Sequence, residues 1–398
     1  MIIRRVAIVL LAIPLVACSA SANASPSRSA SGASRSSPRG TLKARAGGSP
    51  SSSASTPSPV PTPPLGGIYA ATVSGRIDPS LAGIPERVYV PDEISGDVVV
   101  IDPATFRIVG RFKVGLYPEH ITPDWDLQRL YVNNMNSSSL TIIDPRTSRP
   151  TGTISVPTPY DVYFTVDGSK AIVVEDLISP LNIRRNGLYF YDRKTWRLLK
   201  FVEIPWPGAD DLDMSADGSF LLVSCEYSGV VARVDTNRMV VTGSVRVGGL
   251  PRDVRLSPDG TVFYVANEGL NLVQAVDART MKLVALIHTG RGSHGLEFSR
   301  DTTRMFVSNR SAGSISVIDL ATRQVAATWS IGGSPDEMAL SPDGSQLWVS
   351  NRYNGGVTVV DTQGGGVLAT IATGRYPHGL AFWPVPGRIS LGQNGNMR

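Results

Sequence analysis

Residues 374–384 read GRYPHGLAFWP. The stretch opens as the preceding unit does, GGSPDEMALSPDGSQLWVSNRYNGGVTVVDTQGGGVLATI (332–371), which carries four strand-like runs. Here only one run follows before a short polar tail, so three strands are missing from the last unit.

Upstream, the residue before each first turn recurs every 42 positions, at Ser215, Ser257, Ser299, Ser341 and Trp383, with Thr165 and Asp124 continuing the series. Three of these turns read Ser-x-Asp-Gly and a fourth reads TVDG, patterns in which Asp bonds its own backbone and Gly takes the positive φ. An apolar run ending in polar residues follows each turn: RLYVNN, KAIVVED, SFLLVSCE, TVFYVANE, RMFVSNR and QLWVSNR. A third run ends in Asp, as in LTIIDPRT or VTVVDTQG, and a fourth leads to a Gly-containing loop. Four short antiparallel strands (A to D) in a repeat of this length make a propeller blade. Charged residues are only 18%, and Gly, Val, Thr and Ser abound, as strands joined by tight turns require.

Seven segments have the character of strand A. Seven sets have that of B to D, because residues 87–115, RVYVPDEISGDVVVIDPATFRIVGRFKVG, lack an A strand. The orphan at 377–383 supplies it. The expected fold is all-β, a seven-bladed propeller over residues 87–384. The C-terminal strand A completes the N-terminal blade and removes the exposed edge that an open ring would present. Residues 68–86 are a lead-in and 385–398 a C-terminal tail.

The N-terminus is an address. MIIRR is cationic, VAIVLLAIPLVA is shorter than a normal membrane span, and Cys18 follows at once. Leu15-Val16-Ala17-Cys18 resembles a bacterial lipobox, which implies cleavage before Cys18 and its acylation. The expected location is therefore outside the cell membrane and anchored to it, with the domain acting as a monomer. Residues 19–67 are a Ser/Pro/Ala-rich tether carrying Arg28, Arg35, Arg39, Lys43 and Arg45 and no acid. Such a segment buries too little apolar surface to order itself, and as a coil it spans roughly 40 Å. Without these five and Arg4 and Arg5, Lys+Arg falls from 38 to 31 against 33 acids. The near-neutral domain disfavours nucleic acid as a partner. With Cys18 lipidated, Cys225 stands alone and no internal disulfide is possible; a half-buried strand-end thiol is expected there.

The unit P-x-x-h-x-h-S-P-D-G-x-x-h-[YFW]-V-[AS]-N, followed by V-x-V-I-D and an apolar strand ending in G-x-x-P, resembles the YVTN-type repeat of the YncE-like propellers. LYVNN, FYVAN, MFVSN and LWVSN are its close variants. The resemblance implies an extracytoplasmic propeller. Related propellers serve as binding platforms, lactonases, lyases or cofactor holders. The strands FYVANEG and LWVSNRY depart from the W-F-T-E pattern of the streptogramin lyases.

Function is sought where the repeats differ. The two residues after the proline position of strand A are Glu119-His120, Tyr160-Asp161, Asp210-Asp211, Arg252-Asp253, His294-Gly295, Asp336-Glu337 and His378-Gly379. Three of the four histidines fall in these columns, in blades that neighbour one another around the ring. Imidazole and carboxylate converging on a channel mouth suit a divalent cation, Zn or Mn where His takes part and Ca or Mg where carboxylates act alone. The plainer reading is that they solvate the mouth and satisfy backbone groups. Tyr117, Tyr160, Trp206, Tyr227, Tyr353 and Tyr376, with Arg252, Arg310 and Arg352, offer a recognition surface on the same face, since aromatic and Arg side chains dominate such surfaces. The insertion EDLISPLNIRRNG (175–187) in the B-C loop of blade 3 is expected to overhang the mouth.

Three function classes remain: a tethered binding or scaffold module for a cell-wall polymer or envelope protein, a metal-dependent hydrolase or lyase, and a single-stranded nucleic-acid binder. No CxxCH, P-loop or GxSxG sequence is present to support haem, phosphate-loop or α/β-hydrolase chemistry.

Overall fold

The computed structural model describes residues 67–175 and 186–398. Cys18, the tether up to residue 66 and residues 176–185 of the blade-3 insertion lie outside them. Among the described residues no helix is long and apolar enough to cross a membrane.

Seven antiparallel sheets follow one another in chain order, each with strands A to D side by side. The first is completed from the far end of the sequence. Ala381–Trp383 pairs with Arg87–Asp92, placing Trp383 opposite Arg87, Phe382 opposite Val88 and Ala381 opposite Tyr89, with a further bridge between Asp92 and Pro377. The missing A strand is where the repeat count requires it.

Burial grades outward along each sheet. Strand B of blade 5 (Val262–Asn267) is covered on both faces by neighbouring blades, whereas strand D (Leu283–His288) is mostly exposed at the rim, with only Ile287 buried. This explains why the inner strands read as nearly continuous apolar runs. The Ser-x-Asp-Gly turns form as their chemistry predicts. Asp217 Oδ1 accepts bonds from Ser215 Oγ at 2.7 Å and Ser219 N at 3.0 Å, and Gly218 takes φ +69°.

The lead-in packs under blades 5 and 6. Tyr69 donates its hydroxyl to Leu256 O at 3.0 Å and lies 5.4 Å from the Phe298 ring. Residues 385–398 do not trail away as a polar tail. Ser390–Gly392 joins the sheet of blade 3 through Gly392 and Tyr163, and the turn Gln393–Gly395 packs on the inner strands of blades 1, 2, 3 and 7. Arg398 Nη2 donates to Asp213 Oδ1 and Met214 O at 2.8 and 2.7 Å. The segment thus plugs the channel at the end where the A-B turns lie. Val385, Leu391 and Met397 supply the buried apolar contacts that hold it.

Candidate functional site

The A strands begin at the opposite end of the channel, and there each carries an irregularity. In blade 2, Pro118 faces Asn134 and Ile121 faces Val132, so Glu119 and His120 together oppose one residue. The same two-against-one bulge recurs in blades 4, 5, 6 and 7, and a related register shift in blade 3. A bulge re-aims side chains that strict alternation would send to opposite faces. In these blades Glu119, His120, Asp161, Asp210, Asp211, Asp253, His294, Asp336 and Glu337 are buried at the mouth or within the channel, and His378 is buried with them from blade 1.

They sort into separate groups. His294, Asp336, Glu337 and His378 bring one ligand atom each to within 4.8 Å of one another, as do Glu93, Glu119 and His378. His294 Nδ1 lies 3.1 Å from Glu337 Oε1 and 3.2 Å from Asp336 Oδ1, and His378 Nε2 lies 3.7 Å from Asp336 Oδ2. Nδ1 of His378 is held by the Glu119 carboxylate. A third group, His120, Asp161 and Asp211, comes from the adjacent blades 2, 3 and 4. Asp253 serves the scaffold instead, accepting Leu296 N at 2.8 Å beside Arg255.

The arginines do not form an outer recognition surface. Arg310 is buried, and Arg252 and Arg352 are largely covered, because each is drawn into the acidic mouth. Arg252 bridges Glu226, Glu268 (2.7 Å) and Asp210 (3.6 Å). Arg310 pairs with Asp336 and reaches His294 Nε2 at 2.5 Å. Arg352 pairs with Glu93 at 2.5 Å and reaches His378 Nε2 at 3.2 Å. Tyr160 is likewise buried, its ring edge-on to His120. Tyr117 and Trp206 are partly buried, whereas Tyr227, Tyr353 and Tyr376 are exposed and the last two contact each other. Cys225 is fully rather than half buried, and burial pushes its thiol up to about 12.

Glu93, Glu226 and Glu268 belong to the mouth but lie outside the strand-A columns, because they follow strand B rather than open strand A. Their signal was the last letter of SFLLVSCE and TVFYVANE, which the equivalent Arg310 and Arg352 occupy in blades 6 and 7.

Burial, reinforced by Arg310 beside His294 and by Arg352 beside His378, holds both imidazoles well below their usual range. They are neutral, the form that binds metal. Burial and the neighbouring Asp253 and Asp336 push the Glu337 carboxyl well above the usual range. The donor set fits a divalent cation on one further observation: His294 Nδ1 and Asp336 Oδ2 are buried and make no hydrogen bond.

No curated protein matches the chain. Among solved structures, the periplasmic gluconolactonase of Pseudomonas aeruginosa is similar, at 20% identity and TM-score 0.64 over 76% of this chain and 99% of that one. A functionally unknown protein from Desulfotomaculum acetoxidans matches at 18% identity and TM-score 0.64, over 76% and 99%. Hydrazine synthase of Kuenenia stuttgartiensis matches at 19% identity and TM-score 0.59, over 68% and 91%. At these identities the likeness is one of fold. The sequence of residues 77–385, all seven blades included, fits the YNCE-like beta-propeller pattern, and the chain belongs to that family.

Proposed function

We propose that this is an exported, lipid-anchored propeller acting as a monomeric binding module, whose channel mouth holds an envelope ligand through a divalent cation carried by His294, Asp336, Glu337 and His378. The observation that carries the reading is the convergence of these four buried ligand atoms, with His294 Nδ1 facing two carboxylates and Asp336 Oδ2 making no hydrogen bond. Buried polar atoms are costly to leave unmade, by about 1–3 kcal/mol each, so a cation there removes a penalty as well as adding bonds. When bound, the ion supplies Lewis acidity toward a carboxylate, phosphate or carbonyl oxygen of a wall polymer or protein partner. Glu119 fixes the His378 ring through Nδ1, and Arg252, Arg310 and Arg352 balance the acids that crowd the rim. Tyr353 and Tyr376, stacked edge-on and exposed, offer contact area beside it.

The anchor rests on Cys18 and its lipobox; metabolic labelling with a fatty acid that persists in Cys18→Ala would remove it from the account. Calorimetric titration of the full-length protein with Zn²⁺ and Mn²⁺ tests the mouth. A site of micromolar affinity or better is expected at the mouth, weakened at least tenfold in His294→Ala/His378→Ala, and no binding heat for either ion counts against it.

A second reading is hydrolysis of a lactone or ester at the same place. It is favoured by the same cluster, whose cation would polarise a carbonyl oxygen or activate a water while Glu119 fixes the His378 ligand. A screen of lactones and esters with the metal-loaded protein separates turnover from binding alone.

A further inference from the structure

Beside the mouth group, His120, Asp161 and Asp211 converge from the A strands of three consecutive blades, with ligand atoms within 4.8 Å of one another. The two carboxylates share a pattern. In each, one oxygen is fixed by protein donors and the other is left open. Asp161 Oδ1 accepts from Asn133 Nδ2 at 2.9 Å, Thr122 Oγ1 at 3.1 Å and Val162 N at 2.6 Å, while its Oδ2 makes no hydrogen bond. Asp211 Oδ1 accepts the Tyr163 hydroxyl at 3.1 Å, and its Oδ2 likewise makes none. Both side chains are fully buried.

Their surroundings also differ from those of the other channel aspartates. Asp210, Asp213, Asp253 and Asp336 each lie within ion-pair distance of an arginine. Among the described residues no Lys or Arg stands within that distance of Asp161 or Asp211. Two buried carboxylates with no cationic partner, held rigid by outside donors, have the construction of metal ligands oriented by their surroundings. The third ligand, His120, is set by ring packing against Tyr160 and His378, with centroids 5.1 and 4.6 Å away. Below, the segment Ser390–Gly395 packs on the A strands of blades 2 and 3, with the fully buried Gln393 amide making no hydrogen bond.

We infer that His120, Asp161 and Asp211 form a second, interior cation site, separate from the mouth, which takes a divalent ion of the manganese class and ties blades 2, 3 and 4 together inside the plugged channel. One nitrogen and two hard oxygens suit Mn²⁺. An ion enclosed on all sides exchanges slowly and stabilises the fold rather than meeting substrate.

The full-length protein, stripped with chelator and re-equilibrated with Mn²⁺ alone, is expected to retain one ion more than Asp161→Asn/Asp211→Asn, and chelator should lower the melting temperature of that variant less than that of the wild type. Asp336→Asn, which alters the mouth, should leave the interior ion in place, so the two sites can fail separately. Equal manganese content in wild type and the double variant overturns the proposal. If the double variant does not fold, wild-type crystals grown with Mn²⁺ decide: an anomalous peak touching Asp161 Oδ2 and Asp211 Oδ2 supports the site, and no peak there refutes it.

Discussion

His378 shows how much of the site is set by single atoms. Its Nδ1 is committed to Glu119, which turns Nε2 toward Asp336. Glu119→Gln keeps the size of the side chain but removes the carboxylate, and should weaken cation binding at the mouth by 10- to 100-fold, read by titration. Asp92 provides a pH test. Burial pushes its carboxyl up to about 7, with Thr373 Oγ1 bonding it at 2.9 Å. A carboxyl whose folded value is raised penalises the native state only when ionised. The cost is absent below about pH 4, grows through the interval and is complete above pH 7. Asp92→Asn should therefore stabilise the protein by about 2 kcal/mol at pH 8 and scarcely at pH 4, measured by denaturant unfolding at both. Cys225 should resist thiol reagents until the protein unfolds, since it is buried and its thiol is held protonated. The columns that hold the candidate ligands could be read from the repeat, because composition departs from the consensus there. Which side chains point inward could not, because the bulges that turn both members of a pair inside are a property of strand pairing and leave no mark in local propensity.

At the scale of elements, the closing strand and the plug differ in legibility for a physical reason. Residues 381–383 continue a periodic pattern, and a lone A strand beside a blade without one can be counted. Residues 385–398 have no period of 2 or 3.6, and their burial depends on a channel that exists only once seven blades have assembled. Phe382 of the completed blade 1 is enclosed against Trp348 of blade 7. Phe382→Ala should cost about 3–5 kcal/mol and promote aggregation through the loosened edge of blade 1, followed by thermal melting and light scattering. In the plug, Gly392 takes φ +119°, and a Cβ there would stand 2.4 Å from Val162 O. Gly392→Ala should displace the segment, lower the melting temperature and increase hydrogen exchange in the A strands of blades 2 to 4, while leaving the outer D strands unchanged.

For the molecule as a whole, ring closure joins positions nearly 300 residues apart in sequence, with Arg87 opposite Trp383. The channel between the blades is plugged at one end and lined at the other by carboxylates, imidazoles and three arginines. The near-neutral charge of the domain conceals this concentration, which is why composition points away from nucleic acid yet says little about what is bound. The fold follows from a 42-residue repeat whose every unit must cover its neighbour. The ligand does not follow from it, since the repeat is what these propellers share and the mouth is where they differ. The central claim is that the mouth is a cation site. Elemental analysis of the full-length protein, purified without chelator beside Asp336→Asn, tests it most directly. A divalent metal present in wild type and reduced by one equivalent in the variant is the expected result. Wild-type protein whose metal content matches that of the variant, even after equilibration with Zn²⁺ or Mn²⁺, would contradict it.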